Sequence, residues 1–141
     1  MHAHISHAVG WAQAGRDIPV YGTTHADYFY EPILCAWNLS RQEIGADYET
    51  NTGHMIMETF RTRGISPVHI LAIICRNHWP FTRKKHAVQA MYHSVVLETV
   101  AKMAMFTEAF CPRVSSAPQR IQDKHFMRKH GPDTYYGQAS R

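Results

Sequence analysis

The segment Ile70-Leu71-Ala72-Ile73-Ile74-Cys75 is a run of six consecutive apolar residues. A short run of this kind is typical of a central strand that is covered on both faces, as in the parallel sheets of α/β proteins. The polar stretch Arg76-Asn77-His78 follows at once. Because ligands of open α/β sheets bind beyond the carboxyl ends of the strands, His78 becomes a candidate site residue.

Helical patterns surround this strand on both sides in the sequence. Glycine or proline stops each of them, as expected for helix ends. The predicted helices are His7 to Ala14, about His54 to Arg63, roughly Lys85 to Phe110 and about Pro118 to Lys129. The β-branched and aromatic segment Thr23 to Tyr30 predicts a further strand or strand end. Alternating strands and helices favour a layered α/β or α+β domain, although so few strands make a thin sheet.

The two later helices carry predicted inward-facing residues. In the longest helix these are Ala90, Met91, Ser94, Leu97, Ala101 and Ala104, at helical spacing. Met103, Met105 and Phe106 are expected in the core, as apolar residues of a helix usually are. In the last helix Ile121 and Phe126 are predicted to point inward.

Composition sets the class of protein. The chain has 141 residues, of which 45% are hydrophobic and 18% charged, which is typical of a globular domain. Its net charge of +4 comes with two short basic clusters and no recognised nucleic-acid motif, so nucleic-acid binding is not favoured. No apolar run is long enough to cross a membrane, and no secretory leader is visible, so a cytoplasmic protein is expected.

Histidines supply the candidate metal ligands. His2 and His4 are two residues apart, so on a strand both imidazoles project from the same face and can converge on one ion. A third histidine, with His78 the best candidate, would complete a set that leaves positions open for water or substrate. The alternative is that His2 and His4 are a disordered terminus and that His78 only caps its strand.

Asp27 and Tyr136 are the candidate acid/base groups. A carboxylate beside a divalent ion can exchange a proton, and so can a phenol whose pKa is tuned. The alternatives are that Asp27 is a turn or cap residue and that Tyr135 and Tyr136 pack at an interface.

His25 is more often a hydrogen-bonded core histidine. The basic residues of the last helix can bind a phosphate or simply decorate its surface.

Several segments, in order and spacing, resemble one enzyme family. The segments are Trp11-Ala12-Gln13-Ala14-Gly15, Gly22 to Tyr30, Asp123 to Gly131 and Tyr135-Tyr136-Gly137-Gln138. They are similar to the L-ribulose-5-phosphate 4-epimerases of the class II aldolase/epimerase (aldolase–adducin) superfamily. The resemblance runs from His2 to Gln138, and implies one partial class II aldolase/epimerase domain over residues 1–141. The implied fold is an α/β, layered αβα sheet with flanking helices, truncated at its N-terminal side.

The resemblance also implies a reaction. Epimerases of this family bind Zn²⁺ and interconvert L-ribulose 5-phosphate and D-xylulose 5-phosphate by retro-aldol cleavage and aldol re-formation. By motif, His2, His4 and His78 match the zinc ligands, and Asp27 and Tyr136 match the acid/base pair. His125 matches an active-site histidine. In the family the tyrosine crosses a subunit boundary of a homotetramer, which implies a homo-oligomer acting on a pentulose phosphate.

Departures from the family pattern leave alternatives open. The phosphate-binding loops have no counterpart in these residues, and Trp79 and Glu31 stand where the family has glycine. A glycine can allow a close approach of the backbone that tryptophan cannot. The alternative hypothesis is therefore a catalytically inactive, truncated remnant that associates with full-length subunits or folds poorly. A sugar-phosphate aldolase of the same superfamily is a third hypothesis.

Overall fold

A computed structural model describes residue 1 and residues 3–132 of the chain. Within them, helices and short strands alternate. The elements are α1 (Ser6–Ala14), α2 (Thr23–Ala26), β1 (Cys35–Ala36), α3 (Arg41–Gly45), α4 (Tyr48–Thr62), β2 (Ala72–Cys75), β3 (Pro80–Thr82), α5 (Ala87–Phe110) and α6 (Gln119–His130). The four predicted helices are confirmed as α1, α4, α5 and α6, although α4 begins six residues before the predicted start at His54.

The sheet has the order β1-β2-β3, so the apolar run of the sequence is its central strand, as predicted. β1 pairs with β2 in parallel, with Cys35 opposite Ile74. β2 pairs with β3 in antiparallel fashion, with Ile73 opposite Phe81.

Met1 and Ala3 continue this pairing beyond β3. The amino group of Met1 donates to the Thr82 carbonyl at 2.9 Å, and the Thr82 N–H donates to the Met1 carbonyl at 2.8 Å. Ala3 N–H donates to the Pro80 carbonyl at 3.4 Å. Met1 and Ala3 therefore pair with β3 in antiparallel fashion, and His4 lies against Trp79.

Helices cover both faces of β2. Ala72 and Ile74 belong to a core shared with α1 and α5, whereas Ile73 and Cys75 belong to a second core shared with α4. Because successive side chains of a strand point to opposite faces, one short strand serves both cores. This is the layered αβα arrangement that the family resemblance implies.

Trp11 fixes α1 against α5. Its side chain is buried, and its indole Nε1–H donates to the Ala101 carbonyl at 3.0 Å. Gly15 ends α1 in the left-handed conformation (φ 66°), and its N–H donates to the Ala12 carbonyl. A left-handed glycine at this position is a common helix C-terminus, as the sequence predicts.

The prediction of a strand over Thr23 to Tyr30 is wrong. Asp27 N–H donates to the Thr23 carbonyl at 2.8 Å and Phe29 N–H to the His25 carbonyl at 2.9 Å, which are bonds of a helical turn. The turn places His25 and Phe29 on one face, where both are buried and their rings meet edge-on. Burial of this pair overrides the strand propensity of the segment.

Several predicted core residues are exposed instead. They are Met91, Met103, Met105 and Phe106 on α5, and Ile121 on α6. The buried face of α5 combines small residues with two valines, Leu97 and His93, and its Ala101 and Ala104 belong to the core shared with α1. Small residues let two helices approach closely, so the large apolar side chains of α5 lie on its other side. Among the described residues, no helix has both the length and the hydropathy of a membrane span.

Substitution of Gly10, inside α1, and of Gly15, which follows its last residue, by alanine should change stability in opposite directions. Gly15→Ala should lower the free energy of unfolding by about 1–2 kcal/mol, because φ is positive there. Its new Cβ would also lie 2.7 Å from Nε of Arg76. Gly10→Ala meets nothing within 4 Å inside the helix, and should raise stability by up to about 1 kcal/mol. Urea unfolding of both variants measures the two effects, and equal effects would contradict this account of the helix end.

Candidate active site

The described metal-ligand candidates, His4 and His78, both lie against Trp79. The His4 and Trp79 rings have centroids 3.6 Å apart and are tilted by 38°. His78 is half-buried, with ring centroids 5.8 Å from Trp79 and 5.4 Å from Tyr48. The structure thus brings His4 and His78 to one indole ring. His2, the third predicted ligand, lies outside the described residues.

A tight turn between β2 and β3 presents His78. His78 N–H donates to the Cys75 carbonyl at 2.9 Å, and Cys75 N–H donates to the Trp79 carbonyl at 3.2 Å. Asn77 takes the left-handed conformation (φ 56°), which asparagine tolerates better than most residues. Its N–H donates to the Ala12 carbonyl at 3.2 Å, which ties the turn to α1.

A groove opens beside His78 at the carboxyl ends of β1 and β2. Its volume is about 320 Å³. Polar side chains line it together with aromatic ones, as in a small-molecule site. The lining includes Trp37, Asn38, Tyr48, Thr52, Arg76, Asn77 and His78. The groove lies where α/β sheets usually bind ligands, and it does not include Asp27.

Imidazole nitrogen is a donor that zinc prefers, so the chemistry of His4 and His78 fits this ion. Two donors are fewer than a zinc site requires. In the part of the chain that the structure describes, no three histidine, cysteine or acidic side chains form a group that could hold a metal. The predicted zinc set therefore depends on His2.

Asp27 is held by a basic face of α6. Arg128 Nη2 donates to both carboxylate oxygens of Asp27 at 3.0 Å, and His125 Nδ1 donates to Oδ1 at 3.1 Å. Lys129 Nζ lies 3.4 Å from Oδ2. His130 Nε2 donates to the Asp27 backbone carbonyl at 2.9 Å.

Helical spacing explains this arrangement, since residues three and four apart share one face. His125, Arg128 and Lys129 occupy such positions on α6. Phe126 is buried beside them, with its ring centroid 4.9 Å from Tyr30 and 4.4 Å from His130. The apolar contact of Phe126 thus orients the basic residues towards Asp27.

The surroundings of Asp27 keep its carboxylate ionised. Burial acts to raise its pKa, because only 13% of the side chain is exposed. The hydrogen bonds from His125 and Arg128 and the charges of Lys129 and Arg128 outweigh burial, so the pKa of Asp27 is lowered. At neutral pH Asp27 is an anion that can accept a proton but has none to donate.

His25 has a structural environment. Its side chain is buried, and Nε2–H donates to the Glu31 carbonyl at 3.1 Å. Burial lowers the pKa of His25 to about 4, so the ring is neutral at pH 7. This matches the hydrogen-bonded core histidine that the sequence favours.

The structure forms two separate groups from the predicted residues. The described hydrogen bonds and ion pairs of the Asp27 carboxylate run to α6, whereas His4 and His78 contact Trp79. Tyr136, the predicted partner of Asp27, lies outside the described residues. Asp27 and His125 are 98 residues apart in the sequence and form a hydrogen bond. This bond joins two of the motif segments, Gly22 to Tyr30 and Asp123 to Gly131.

Glu98 is a supporting residue that sequence reasoning missed. α1 has no side-chain cap of its own. The Glu98 carboxylate accepts instead from His7 N–H at 2.9 Å, from Ala8 N–H at 3.1 Å and from His7 Nδ1 at 2.6 Å. Burial alone would raise the pKa of Glu98, but these hydrogen bonds lower it. Glu98 thereby anchors the start of α1, three residues after His4. No local sequence signal could reveal it, because 91 residues separate Glu98 from His7.

Comparison with known proteins agrees with this fold. Residues 1–105 match the family described as the Class II Aldolase and Adducin N-terminal domain, so the chain belongs to the class II aldolase/adducin family. The solved structure of an L-fuculose 1-phosphate aldolase is similar, with a TM-score of 0.58 and 14% sequence identity. The match covers 88% of this chain and 52% of that one, so this chain spans about half the length of that structure. At this identity the similarity shows the fold alone.

Replacement of Glu98 by glutamine should loosen the start of α1. Loss of the charged cap should lower the free energy of unfolding by about 1–2 kcal/mol. Amide hydrogen exchange at His7 and Ala8 should become faster. Glu108→Gln is the control, since Glu108 lies on the same helix but bonds the side chains of Arg16 and Tyr21. Unchanged exchange at His7 and Ala8 in Glu98→Gln would contradict the assignment.

Removal of the Asp27 charge should make stability less dependent on acid. Since the folded-state pKa is lowered, the ion cluster stabilises the fold fully above the ordinary aspartate pKa of 3.8. That contribution is lost as the pH falls through the lowered value. Asp27→Asn should cost about 2 kcal/mol near neutral pH, and the difference from wild type should shrink at about pH 3. Urea unfolding across this range is the measurement, and a constant difference would refute the assignment.

Proposed function

We propose that the chain carries metal-binding and acid/base residues of a zinc-dependent sugar-phosphate epimerase, which interconverts L-ribulose 5-phosphate and D-xylulose 5-phosphate. One observation carries the proposal. Asp27, in a motif typical of the epimerases, is bonded directly to His125, in a second motif of the same kind. The fold places these two segments together and holds the Asp27 carboxylate ionised.

His2, His4 and His78 are the residues proposed to hold zinc. The presence of His4 and His78 at one indole ring supports this assignment. Zinc, when bound, supplies a Lewis acid that stabilises negative charge developing on a substrate oxygen. Glu98 supports the same region by fixing the start of α1, which follows His4 directly after Ile5.

Asp27 and Tyr136 are proposed as the acid/base pair, with unequal roles. The Asp27 carboxylate is ionised at neutral pH, so in this proposal it is the group that accepts a proton. Tyr136 is then the group that donates one. His125 and Arg128 act through Asp27: they fix the orientation of its carboxylate and favour its anionic state.

The proposed substrate is a pentulose phosphate, and the proposed assembly is a homo-oligomer, with the tetramer of the family as the expected form. The groove beside His78 supports a small polar ligand, since Asn38 and Arg76 line it. The cytoplasm is the proposed location.

The alternative function is a catalytically inactive member of the family that associates with full-length subunits. The contact of Trp79 with His4 favours it. The Trp79 indole ring contacts the His4 imidazole with centroids 3.6 Å apart, and the epimerases have glycine at the position of Trp79. A ring held in this way has less freedom to turn towards an ion.

Asp27→Asn tests the catalytic proposal. The substitution preserves size and removes the proton acceptor, so epimerase activity should fall by about 10²–10⁴-fold. Zinc content, measured by native mass spectrometry, should stay unchanged. Asp123→Asn is the matched control, because Asp123 is a carboxylate of α6 that accepts from the Tyr30 hydroxyl at 2.6 Å and not from the residues that hold Asp27.

The outcomes separate the two functions. The epimerase is supported if the wild type binds zinc and turns over substrate, and if Asp27→Asn loses turnover while Asp123→Asn keeps it. Wild-type protein without zinc or turnover supports the inactive alternative. In that case Trp79→Gly should restore zinc binding if the indole ring is the obstacle.

A further inference from the structure

Tyr28, the residue after Asp27, connects α5 to α6. Its hydroxyl forms a hydrogen bond with the Tyr92 hydroxyl of α5 at 2.9 Å, and the two ring centroids are 6.0 Å apart. Lys129 of α6 lies over the Tyr28 ring, with Nζ 4.5 Å from the ring centroid. A cation this close to the face of an aromatic ring is attracted by it. Tyr28 therefore contacts α5 through its hydroxyl and α6 through its ring.

The same lysine contacts Asp27. Lys129 Nζ lies 3.4 Å from Asp27 Oδ2, and only 18% of the lysine side chain is exposed. A lysine side chain has a flexible stem and loses much rotamer freedom when it is held in one place. Asp27 and Tyr28 are neighbours on one turn, and together they supply the contacts that hold the Lys129 ammonium group.

We propose that Tyr28 and Tyr92 are positioning residues for Asp27: the tyrosine pair holds the Lys129 ammonium against the Asp27 carboxylate and thereby favours its anionic form. The hydrogen bonds and ion pairs described for this carboxylate run to α6, so both tyrosines act through Lys129. Tyr92 lies outside the four segments that resemble the epimerases, and the family pattern assigns it no role. The catalytic meaning of the inference rests on the proposed function, whereas the effect on the Asp27 carboxylate does not.

Tyr92 brings no charge to this region, so its effect must come from position. The titratable side chains of α6 near Asp27 are His125, Arg128, Lys129 and His130. From α5, Tyr92 and His93 pack against the Tyr28 ring, and Lys84, three residues before α5, acts on His93 by its charge. The hydrogen bond to Tyr28 raises the pKa of Tyr92, and burial lowers the pKa of His93, so both are neutral at pH 7.

A structural role and a positioning role of Tyr92 have different consequences. Tyr92 is 52% exposed, and a hydrogen bond between exposed hydroxyls contributes little to stability. Tyr92→Phe removes one oxygen atom and no charge at neutral pH, so the urea midpoint and the circular dichroism should stay close to those of the wild type. A change in the pKa of Asp27 without a change in stability is the mark of the positioning role.

NMR titration of the Asp27 carboxyl carbon measures this pKa directly, and Asp27→Asn identifies the signal by its loss. Lys129→Met keeps a long side chain and removes its charge, so it should raise the pKa of Asp27 by about 1, a tenfold gain in proton affinity. Tyr92→Phe should raise the pKa in the same direction by about 0.5, roughly threefold, because the ammonium group stays but is held less closely.

Two further variants isolate the route through Lys129. In the Lys129→Met background, Tyr92→Phe should have no further effect on the pKa of Asp27, because the group that it positions is gone. Tyr30→Phe is the matched control, since it removes the hydroxyl of a tyrosine in the same segment that bonds Asp123 at 2.6 Å. This control should leave the pKa of Asp27 unchanged.

Activity separates this inference from the proposed function. If Asp27 is the catalytic base, the acid limb of the pH profile of kcat/KM should move upward in Tyr92→Phe and in Lys129→Met by the shift that NMR measures. A wild type without epimerase turnover refutes the proposed function, and the NMR titration then decides the inference alone.

Three results would overturn the inference. The first is a pKa of Asp27 that Lys129→Met leaves unchanged. The second is a pKa that Tyr92→Phe leaves unchanged, which would make the tyrosine pair a structural contact only. The third is an equal effect of Tyr92→Phe with and without the Lys129 ammonium group, because the effect would then reach Asp27 by another route.

Discussion

Burial of β2 on both faces is the constraint on which the rest of the structure depends. Ala72 and Ile74 need the α1–α5 layer, and Ile73 and Cys75 need α4. The strand is only four residues long and all four side chains are buried, two in each core. The same strand ends in the turn that carries His78, so the packing of the core also positions the candidate ligand.

The two halves of the candidate site rest on different physical supports. At the Asp27 half, α6 supplies opposite charge, and hydrogen bonds outweigh the cost of burying a carboxylate. At the histidine half, the support is geometric: the antiparallel pairing with β3 and the Glu98 anchor hold the chain on either side of His4. Hydrogen bonds and charges of α6 therefore fix the charge state of Asp27. Backbone pairing and the Glu98 anchor fix the position of the chain around His4.

α5 shows how one helix can serve two purposes. Its small residues, among them Ala101 and Ala104, allow close contact with α1, so its large residues are left on the outer side. These exposed apolar side chains explain why predictions based on hydrophobicity alone placed Met103 and Phe106 in the core. Hydrophobicity indicates that a side chain avoids water, but it does not indicate whether the covering surface belongs to the same chain.

The sequence by itself determined the central strand, the four main helices and the family, because these depend on apolar runs, helical spacing and local motifs. It also pointed to Asp27 as a candidate site residue and, through the family resemblance, to His125. Only the tertiary structure decided that they bond each other, that Thr23 to Ala26 is helical and that Glu98 caps α1. For the two long-range contacts the physical reason is sequence distance, because residues about 90 positions apart leave no local pattern, whereas the period of a helix or strand is written in neighbouring residues. For Thr23 to Ala26 the reason is the burial of His25 and Phe29, which overrides the local propensity.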